Sequence, residues 1–455
     1  MKLLLSKIFL VSIFCFLLTS NVSAQKGSDA LKTAEREWKK LFDESVEWYN
    51  FGYYDNALRG FKRLLIKDRN HCNVNFYVAM CYYYLQRPAD IILPYMEKAA
   101  KKVNPYYSYT YKENSSPVFT LLYVGELYMY LYRFDDAEKA FSEFKTYLTE
   151  RNRDAAHIMM VEQWSEYVKN ARELYANPVV NMSVENLKIA NSNYNETSPF
   201  LSPDGKTLFI SSDRKGSTGG QFMQNTFKSD VYIMTNKSGH WSKPKKMAYR
   251  INSNSADNNS TVGENGKYLI FSREDKNNKD FNIYSSEIDG KRFRTPEKFN
   301  PNINTKSNET HAYISVNGNV MYFASNKPGG YGGTDIYLSE KMPNGEWGPA
   351  YNLGPNVNTI YDDDFPYILD DGVTLFFSSK GHNSMGGFDI FVTTLSEEGI
   401  WSDPENIGYP VNTTSDDTGF MMNKDGSTGY YSTAREAQSN ASVGNADIYQ
   451  ISFGQ

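Results

Sequence analysis

The sequence predicts a two-part α + β protein, with helical repeats in the N-terminal part followed by a five-bladed β-propeller. Six blades are the alternative if one blade is degenerate. A cassette ending in an Asp-Ile-Tyr-like strand recurs at a period of roughly 50 to 60 residues, which is within reach of a propeller blade. Upstream of this array, apolar residues recur at helical spacing and strand signals are nearly absent. The five cassette strands begin at Asp230, Asn282, Asp335, Asp389 and Asp447.

The first residues have the composition of an export signal. Lys2 and Lys7 flank an apolar run over residues 8–18, and Val22-Ser23-Ala24 supplies small residues at the cleavage positions. We therefore predict a signal peptide over residues 1–24 and a mature chain that begins at Gln25. The residue directly after the cleavage site is Gln25 rather than a cysteine, and no later segment approaches about 20 uninterrupted apolar residues. The expectation is an exported, periplasmic protein without a lipid anchor or transmembrane span, with outer-membrane association left open.

Composition narrows the class of function. The chain has 455 residues, 40% of them hydrophobic, and a net charge of -5 with mixed signs. Such a charge gives no basic field, so we expect no nucleic-acid partner. Cys72 and Cys81 would stand about 13 Å apart along one helix, beyond disulfide reach. They are expected to be buried small hydrophobes rather than a bridge or a metal site.

Residues 28–177 are predicted to form the helical repeat domain. Gly52 marks a tight turn before a helix in which Ala57 allows close approach and Phe61 fills the gap. A second copy runs from Tyr132 to Phe144, with Gly125 at the close-packing position of the preceding helix. These spacings resemble the tetratricopeptide pattern. A tyrosine-rich concave face is one reading of this region, and tyrosines packed between helices are the alternative.

Residues 179–455 are predicted to form the propeller. Each blade carries an Asp-Gly or Asn-Gly turn, which is a hairpin signal, and each of four blades closes on an Asn signature. The last cassette has no outer strand after it, whereas residues 186–191 read like an outer strand without a blade. We therefore expect the two ends of the array to complete one shared blade and so close the ring. The turns are Asp204-Gly205, Asn265-Gly266, Asn317-Gly318, Asp371-Gly372 and Asp425-Gly426.

The repeats, with Ser-Pro-Asp-Gly-Lys-Thr-Leu-Phe-Ile-Ser-Ser at 202–212, resemble the TolB-type, WD40-like bacterial propeller family over about residues 180–453. The order of signal peptide, helical repeats and propeller is similar to periplasmic proteins of the Bacteroidota, including the peptidoglycan-associated component of the type IX secretion system. That relative continues into an OmpA-like domain, which this sequence lacks, so no peptidoglycan-binding domain of its own is expected. The resemblance implies that a partner supplies attachment to the envelope.

One carboxylate per blade recurs about four residues before the centre of the first strand. A ring of such groups on one face would attract cations or basic peptides, and calcium is a further candidate ligand. The alternative is structural ion pairing with the cation that ends the second strand of each blade. The carboxylates are Glu196, Asp257, Glu309, Asp363 and Asp417, and the cations are Arg214, Arg273, Lys327, Lys380 and Arg435.

No catalytic motif breaks the symmetry of the blades. The sequence has no Gly-x-Ser-x-Gly elbow and no His-Glu-x-x-His, and its Gly-rich loops precede strands rather than helices. We therefore predict no enzyme, no cofactor and no metal. The expected function is a non-enzymatic envelope scaffold or adaptor that binds proteins or peptides through both repeat regions. The expectation includes a link to type IX secretion or outer-membrane assembly. The alternative is a glycan-binding or hydrolytic propeller that acts in the central pocket.

Overall fold

The computed structural model describes residues 31–148, 155–223, 226–290, 292–435 and 446–454. The predicted signal peptide and the predicted mature terminus Gln25 lie outside these residues. Contacts divide the described chain into two compact units. One comprises residues 31–85 and 92–120, and the other comprises residues 86–91 and 121–454. No helix among the described residues is long and apolar enough to cross a membrane.

Seven helices precede the propeller among the described residues. The first, α1, covers residues 31–50. The others are α2 (Tyr54–Lys67), α3 (Cys72–Tyr84), α4 (Ala89–Ala100), α5 (Thr120–Tyr130), α6 (Phe134–Thr146) and α7 (Ala155–Ala176). Between α4 and α5 lies a short parallel pair of strands, β1 (Val103–Asn104) and β2 (Ser116–Pro117).

Small residues let the helices approach closely, as the repeat pattern predicts. In the first unit, Ala57 and Phe61 on α2 are fully buried, and the Phe61 ring stacks on Tyr77 of α3 at 4.8 Å between centroids. In the second unit, a Cβ on Gly125 would lie 2.3 Å from the Phe141 ring of α6. Only glycine fits at that position. Cys72 and Cys81 are both buried and unpaired on α3.

The propeller has five blades, as predicted, and each is an antiparallel sheet. The first two blades contain β4 (Glu196–Leu201), β5 (Thr207–Ser212), β8 (Asp230–Lys237), β9 (His240–Trp241) and β10 (Lys245–Lys246), then β11 (Asp257–Gly263), β12 (Tyr268–Glu274), β13 (Phe281–Asp289), β14 (Arg292–Phe293) and β15 (Glu297–Lys298). A separate hairpin in the first blade is β6 (Gln221–Met223) with β7 (Thr226–Phe227).

The other blades have four strands each. The third contains β16 (Glu309–Ile314), β17 (Val320–Ser325), β18 (Asp335–Glu340) and β19 (Tyr351–Asn352). The fourth contains β20 (Asp363–Ile368), β21 (Thr374–Ser379), β22 (Asp389–Thr394) and β23 (Glu405–Asn406). The fifth contains β24 (Asp417–Met422), β25 (Thr428–Thr433), β26 (Asp447–Phe453) and β3 (Met182–Asn186).

The two ends of the array close the ring in the fifth blade. The last strand, β26, pairs antiparallel with β3, with Ile451 opposite Val184 and Tyr449 opposite Asn186. The predicted segment 186–191 contributes only Asn186 to the strand itself, since the pairing lies mostly upstream of it. Its other end acts as a clamp, because Asn191 bonds both the backbone N–H and C=O of Ile448. The closure predicted from the sequence is therefore present, with its strand shifted.

The same clamp holds every blade. The Oδ1 atom of the signature asparagine accepts the N–H of the residue that follows the cassette's Asp or Asn, and its Nδ2 donates to that residue's carbonyl. A side chain thus completes backbone hydrogen bonds that would otherwise be left unpaired in the core. The pairs are Asn252 with Val231, Asn304 with Ile283, Asn358 with Ile336, Asn412 with Ile390 and Asn191 with Ile448.

Candidate functional site

The five inner strands, β4, β11, β16, β20 and β24, surround a central channel and run along it in the same direction. Each begins with one of the five predicted carboxylates. The opposite end of each inner strand leads into the Asp-Gly or Asn-Gly turn. We call these two ends of the channel the strand-start end and the turn end. The two ends differ in the solvent exposure of their acidic residues and in the space open to a ligand.

At the strand-start end the five carboxylates have no solvent exposure. Each accepts the backbone N–H of the residue four positions earlier, which is a serine or a threonine: Ser192, Ser253, Thr305, Thr359 and Thr413. Hydroxyl groups from the second strand satisfy further oxygens in the first, third and fourth blades. Burial raises the pKa of all five carboxyl groups, to about 7 for Asp363 and for Asp417.

The predicted cations reach these carboxylates in only some of the blades. Arg214 Nη2 lies 2.9 Å from Glu196, and Arg273 Nε lies 2.5 Å from Asp257. Arg435 comes no nearer than 4.0 Å to Asp417. Its Nη2 instead donates to backbone carbonyls of the preceding loop, at 2.7 and 2.8 Å.

The two lysines make other contacts. Lys380 pairs with the adjacent Asp362, at 2.9 Å, rather than with Asp363. Lys327 places its ammonium 3.8 Å from the ring centroid of Tyr337, and among the described residues it has no ion pair with Glu309. Burial lowers the pKa of Lys327. Glu309 and Asp363 are therefore held by neutral hydrogen-bond donors alone.

Because these five carboxylates are buried and hydrogen-bonded, a partner at this end could not contact their oxygens, although the neighbouring Asp362 and Asp416 remain accessible. The geometry of these five carboxylates favours a structural role over binding of a partner.

A second set of buried acids begins the third strands and caps the loops before them. Asp335 accepts the N–H of Tyr331 at 2.6 Å and of Gly332 at 3.0 Å, and Asp389 accepts that of Met385 at 2.9 Å.

Helices of the second unit also contact the strand-start end. The hydroxyl of Tyr167 on α7 donates to the carbonyl of Lys380 at 2.7 Å, and Nδ2 of Asn170 donates to the carbonyl of Ser384 at 3.0 Å. Both acceptors belong to the loop between β21 and β22. Part of this end is therefore occupied by the chain's own helices.

The channel narrows where each inner strand carries a bulge two residues after its carboxylate. The five side chains at this position differ, so the blade symmetry is broken here. His311 Nδ1 lies 2.8 Å from Asp364 Oδ1, and the His311 ring lies 3.6 Å from that of Phe365. The cavity beside them is only about 40 Å³. The other bulge residues are Ser198, Asn259 and Gly419.

The turn end opens into a larger cavity of about 790 Å³, lined by all five blades. We call it the turn-end cavity. Its wall is acidic: Asp204, Asp370, Asp371 and Asp425 are exposed, and Glu264 is partly buried. Lys424 is the one basic residue in the lining of this cavity. The sequence analysis treated these aspartates only as turn residues, and nothing local distinguishes a turn aspartate from a binding one.

Hydrogen bonds keep three of the turn-end acids ionised. Asp204 accepts the Ser202 hydroxyl and the N–H of Lys206, which lower its pKa. At Asp371, burial acts to raise the pKa, but hydrogen bonds from Thr374 lower it, and the net result is a lowered pKa. Bonds from Ser427 lower the pKa of Asp425. These three accessible acids therefore have lowered pKa values, whereas the five carboxylates that begin the inner strands are buried and have raised pKa values.

Within the described residues, no group of three or more His, Cys, Asp or Glu side chains could hold a metal ion. Glu264, which lines the turn-end cavity, is paired with Lys267 at 3.0 Å and with Lys341 at 3.4 Å. These two lysines partly neutralise one side of the wall.

No protein-family model matches this sequence, and a search of curated proteins finds no relative. Solved structures share the propeller. TolB from Acinetobacter baumannii is 16% identical, with a TM-score of 0.36 over 59% of this chain and 56% of its own. This chain therefore spans just over half the length of TolB.

Two sugar-acting enzymes give similar values. The α-L-arabinofuranosidase from Lactobacillus brevis is 11% identical, with a TM-score of 0.38 over 58% of this chain and 92% of its own. The catalytic domain of the Coprinopsis cinerea GH62 α-L-arabinofuranosidase is 9% identical, with a TM-score of 0.41 over 60% and 96%. At these identities the likeness concerns the fold alone and supports no argument about function.

Proposed function

We propose that this protein is a non-enzymatic scaffold or adaptor of the cell envelope that binds other proteins, with the turn end of the propeller as a binding face. The observation that carries the proposal is the turn-end cavity. All five blades build it, and four of its acids are exposed, whereas the five carboxylates that begin the inner strands are buried and hydrogen-bonded within the fold. Exposed charge in a concave site is available to a partner.

The distribution of pKa values supports a role without catalysis. Hydrolysis of a glycoside needs a carboxylic acid with a raised pKa close to a second carboxylate. In the turn-end cavity, the pKa values of Asp204, Asp371 and Asp425 are lowered. The five inner-strand carboxyl groups, whose pKa values are raised, are fully buried at the strand-start end and cannot contact a substrate. The three acids that a ligand could reach in the turn-end cavity are therefore unsuited to general acid catalysis.

The place of action comes from the sequence. The export signal and the order of helical repeats and propeller, which resembles periplasmic Bacteroidota proteins, support a periplasmic or outer-membrane-associated scaffold. We include a link to type IX secretion or outer-membrane assembly in the proposal. The helical repeats would supply a second binding surface. In the first unit, Tyr106 and Tyr109 are exposed, whereas Tyr54 and Tyr84 stack on each other at 4.7 Å.

Cross-linking in living cells tests this proposal. The mature protein, tagged at its C-terminus, would be cross-linked in the envelope and purified, and its covalent partners identified by mass spectrometry. We expect specific envelope proteins, and type IX secretion components would support the narrower assignment. Recovery of glycan-utilisation proteins alone, or of no protein above the level of an exported tagged control, would contradict the scaffold.

A glycan-binding or hydrolytic propeller is the second candidate, and one observation favours it. His311 and Asp364 form a hydrogen-bonded pair at the channel constriction, and His311 Nε2 is buried without a hydrogen-bond partner. Against it, no carboxylate-bearing residue is among those that line the narrow cavity. Crystals soaked with a panel of neutral oligosaccharides would decide, because an ordered sugar against His311 would favour this candidate.

A further inference from the structure

We infer that the turn-end cavity binds a cationic, extended segment of a partner protein, with lysine or arginine side chains inserted between its acidic turns. This inference rests on the proposed scaffold function and specifies the chemistry of its partner. The volume of about 790 Å³ suits a few extended residues and excludes a folded domain. The occupant is then a loop or a chain terminus of the partner.

The charge of the wall points to a cation. Asp204, Asp370, Asp371 and Asp425 are exposed around one opening, against the single lysine Lys424. Asp370 makes no hydrogen bond or ion pair to other described residues. A concave wall of one sign focuses the field and raises the local concentration of oppositely charged groups. Nucleic acid and acidic peptides would be repelled by the same wall.

A buried phenol at the floor provides an independent second observation. Tyr313 lines the cavity and is only 5% exposed, and its hydroxyl has no hydrogen bond within the part of the chain that the structure describes. Its phenol interacts electrostatically with Asp370 and Tyr367. The hydroxyl oxygen itself is not fully buried, so a ligand in the cavity can reach it and use its free hydrogen-bonding capacity. An inserted ammonium or guanidinium group would donate to this oxygen and pair with Asp370.

The aromatic floor does not suit a sugar. The ring of Tyr313 packs against Phe200 at 5.7 Å and against Tyr367 at 5.2 Å, in tilted and edge-to-face arrangements. These rings cover one another, so a pyranose finds no open flat face on which to stack. A divalent cation is also disfavoured, because no group of three ligating side chains is present among the described residues.

The fold itself offers a conservative way to remove the charge. Asp204, Asp371 and Asp425 occupy the turn position that Asn265 and Asn317 hold in the other two blades. A triple variant, D204N/D371N/D425N, therefore places in three blades the residue that two blades already use. The single variants Asp370→Asn and Tyr313→Phe test the unpartnered carboxylate and the phenol. Asp403→Asn, an exposed acid outside this cavity, is the matched control.

Binding of labelled peptides to the mature full-length protein tests the inference. The probes are a fluorescein-labelled hexapeptide with four lysines and its counterpart with four glutamines, measured by fluorescence anisotropy at low and high salt. We expect the lysine peptide to bind at least about tenfold more tightly and to be released by salt, since each 1.4 kcal/mol is tenfold. The triple variant should lose about tenfold in affinity, Asp370→Asn and Tyr313→Phe several-fold, and the control nothing.

Equal affinity for the two peptides, unchanged binding by the triple variant, or displacement of the peptide by a neutral oligosaccharide would overturn the inference. Displacement by calcium at micromolar concentration would do the same, because it would indicate a metal site. Repeating the envelope cross-linking with the triple variant separates the two proposals. Partners recovered equally by wild type and variant would leave the scaffold standing and refute the cationic site, whereas no partners with wild type would refute the scaffold.

Discussion

The five carboxylates that begin the inner strands and the five acids of the turn-end cavity are used in opposite ways. At the strand-start end the acids are buried and receive hydrogen bonds from their own blade. At the turn end most acids are exposed, and three receive only local turn bonds. Burial has a cost in desolvation that must be offset by bonds within the fold, so a buried acid has little capacity left for a partner. An exposed turn acid keeps that capacity.

Opening the ring should have the largest effect, because it disrupts the strand-start and turn ends together. Replacing residues 182–186 by a Pro- and Gly-rich segment of equal length removes the β3 pairing with β26 while it keeps the linker length. We expect the melting temperature to fall by roughly 10 °C or more in differential scanning calorimetry. Val180→Ser, at a neighbouring residue that is 85% exposed, is the control. An unchanged melting temperature would refute closure by this strand.

Breaking an ion pair at the strand-start end should rank next. Asp257→Asn leaves the guanidinium of Arg273, which is only 19% exposed, without its carboxylate. Removing one partner of a buried pair typically costs about 3 kcal/mol. We expect that loss in the free energy of unfolding, measured by denaturant titration, against nearly no change for Asp204→Asn at the turn end. Equal losses would show that the two ends do not differ.

Asp363 should show a pH dependence because it has no cation. Burial raises its pKa to about 7, above the value of an unfolded aspartate. Between about pH 4 and pH 7 the unfolded chain has lost this proton and the folded protein retains it, so this group lowers stability as pH rises through that window.

Asp363→Asn removes this dependence, and the Ser379 hydroxyl, which donates to Asp363, can instead accept from the new amide. Relative to wild type, the variant should gain about 2 kcal/mol in unfolding free energy between pH 4.5 and pH 7.5. Urea titrations at both pH values measure this. Asp425→Asn is the control: the pKa of its parent carboxyl is lowered, so its stability contribution changes only below about pH 4 and the variant should stay parallel to wild type between pH 4.5 and pH 7.5. If the free energy of unfolding changed with pH in the same way for Asp363→Asn and wild type, a raised pKa of Asp363 would be contradicted.

The smallest effect on stability is expected at the turn end. The triple variant D204N/D371N/D425N should change the free energy of unfolding by about 0.5 kcal/mol or less per substitution, because these residues are exposed and asparagine fits the same turn. The lysine peptide should nevertheless bind less tightly. Thermal and denaturant unfolding of the same preparation used for binding would check both statements. A strongly destabilised triple variant would mean that these acids are structural as well.

Much of the fold was predictable from sequence because each blade repeats the same local chemistry. The recurring strands, the Asp-Gly turns and the signature asparagines gave five blades and their closure. Local pattern also placed Gly125 where a side chain would collide with Phe141. The exact closing strand was less predictable, because the pairing of β3 with β26 depends on residues more than 250 positions away.

The candidate site was less predictable than the fold. The repeating acid-to-cation spacing is the same in all blades, yet Arg273 reaches Asp257 while Lys380 turns to Asp362 and Lys327 lies over Tyr337. Side-chain length and the neighbouring ring decide each outcome. Likewise, the sequence does not show that His311 and the four other bulge residues meet at one constriction, because the bulges of five separate strands bring them together.

The sequence by itself determined the architecture, since periodic patterns of strands, turns and capping residues are local and repeat in every blade. Only the tertiary structure decided which acids are available. Glu196 and Asp204 are eight residues apart, yet one is fully buried at one end of the channel and the other is exposed at the opposite end. Solvent exposure is set by the loops and strands that pack around a residue, and these come from distant parts of the chain.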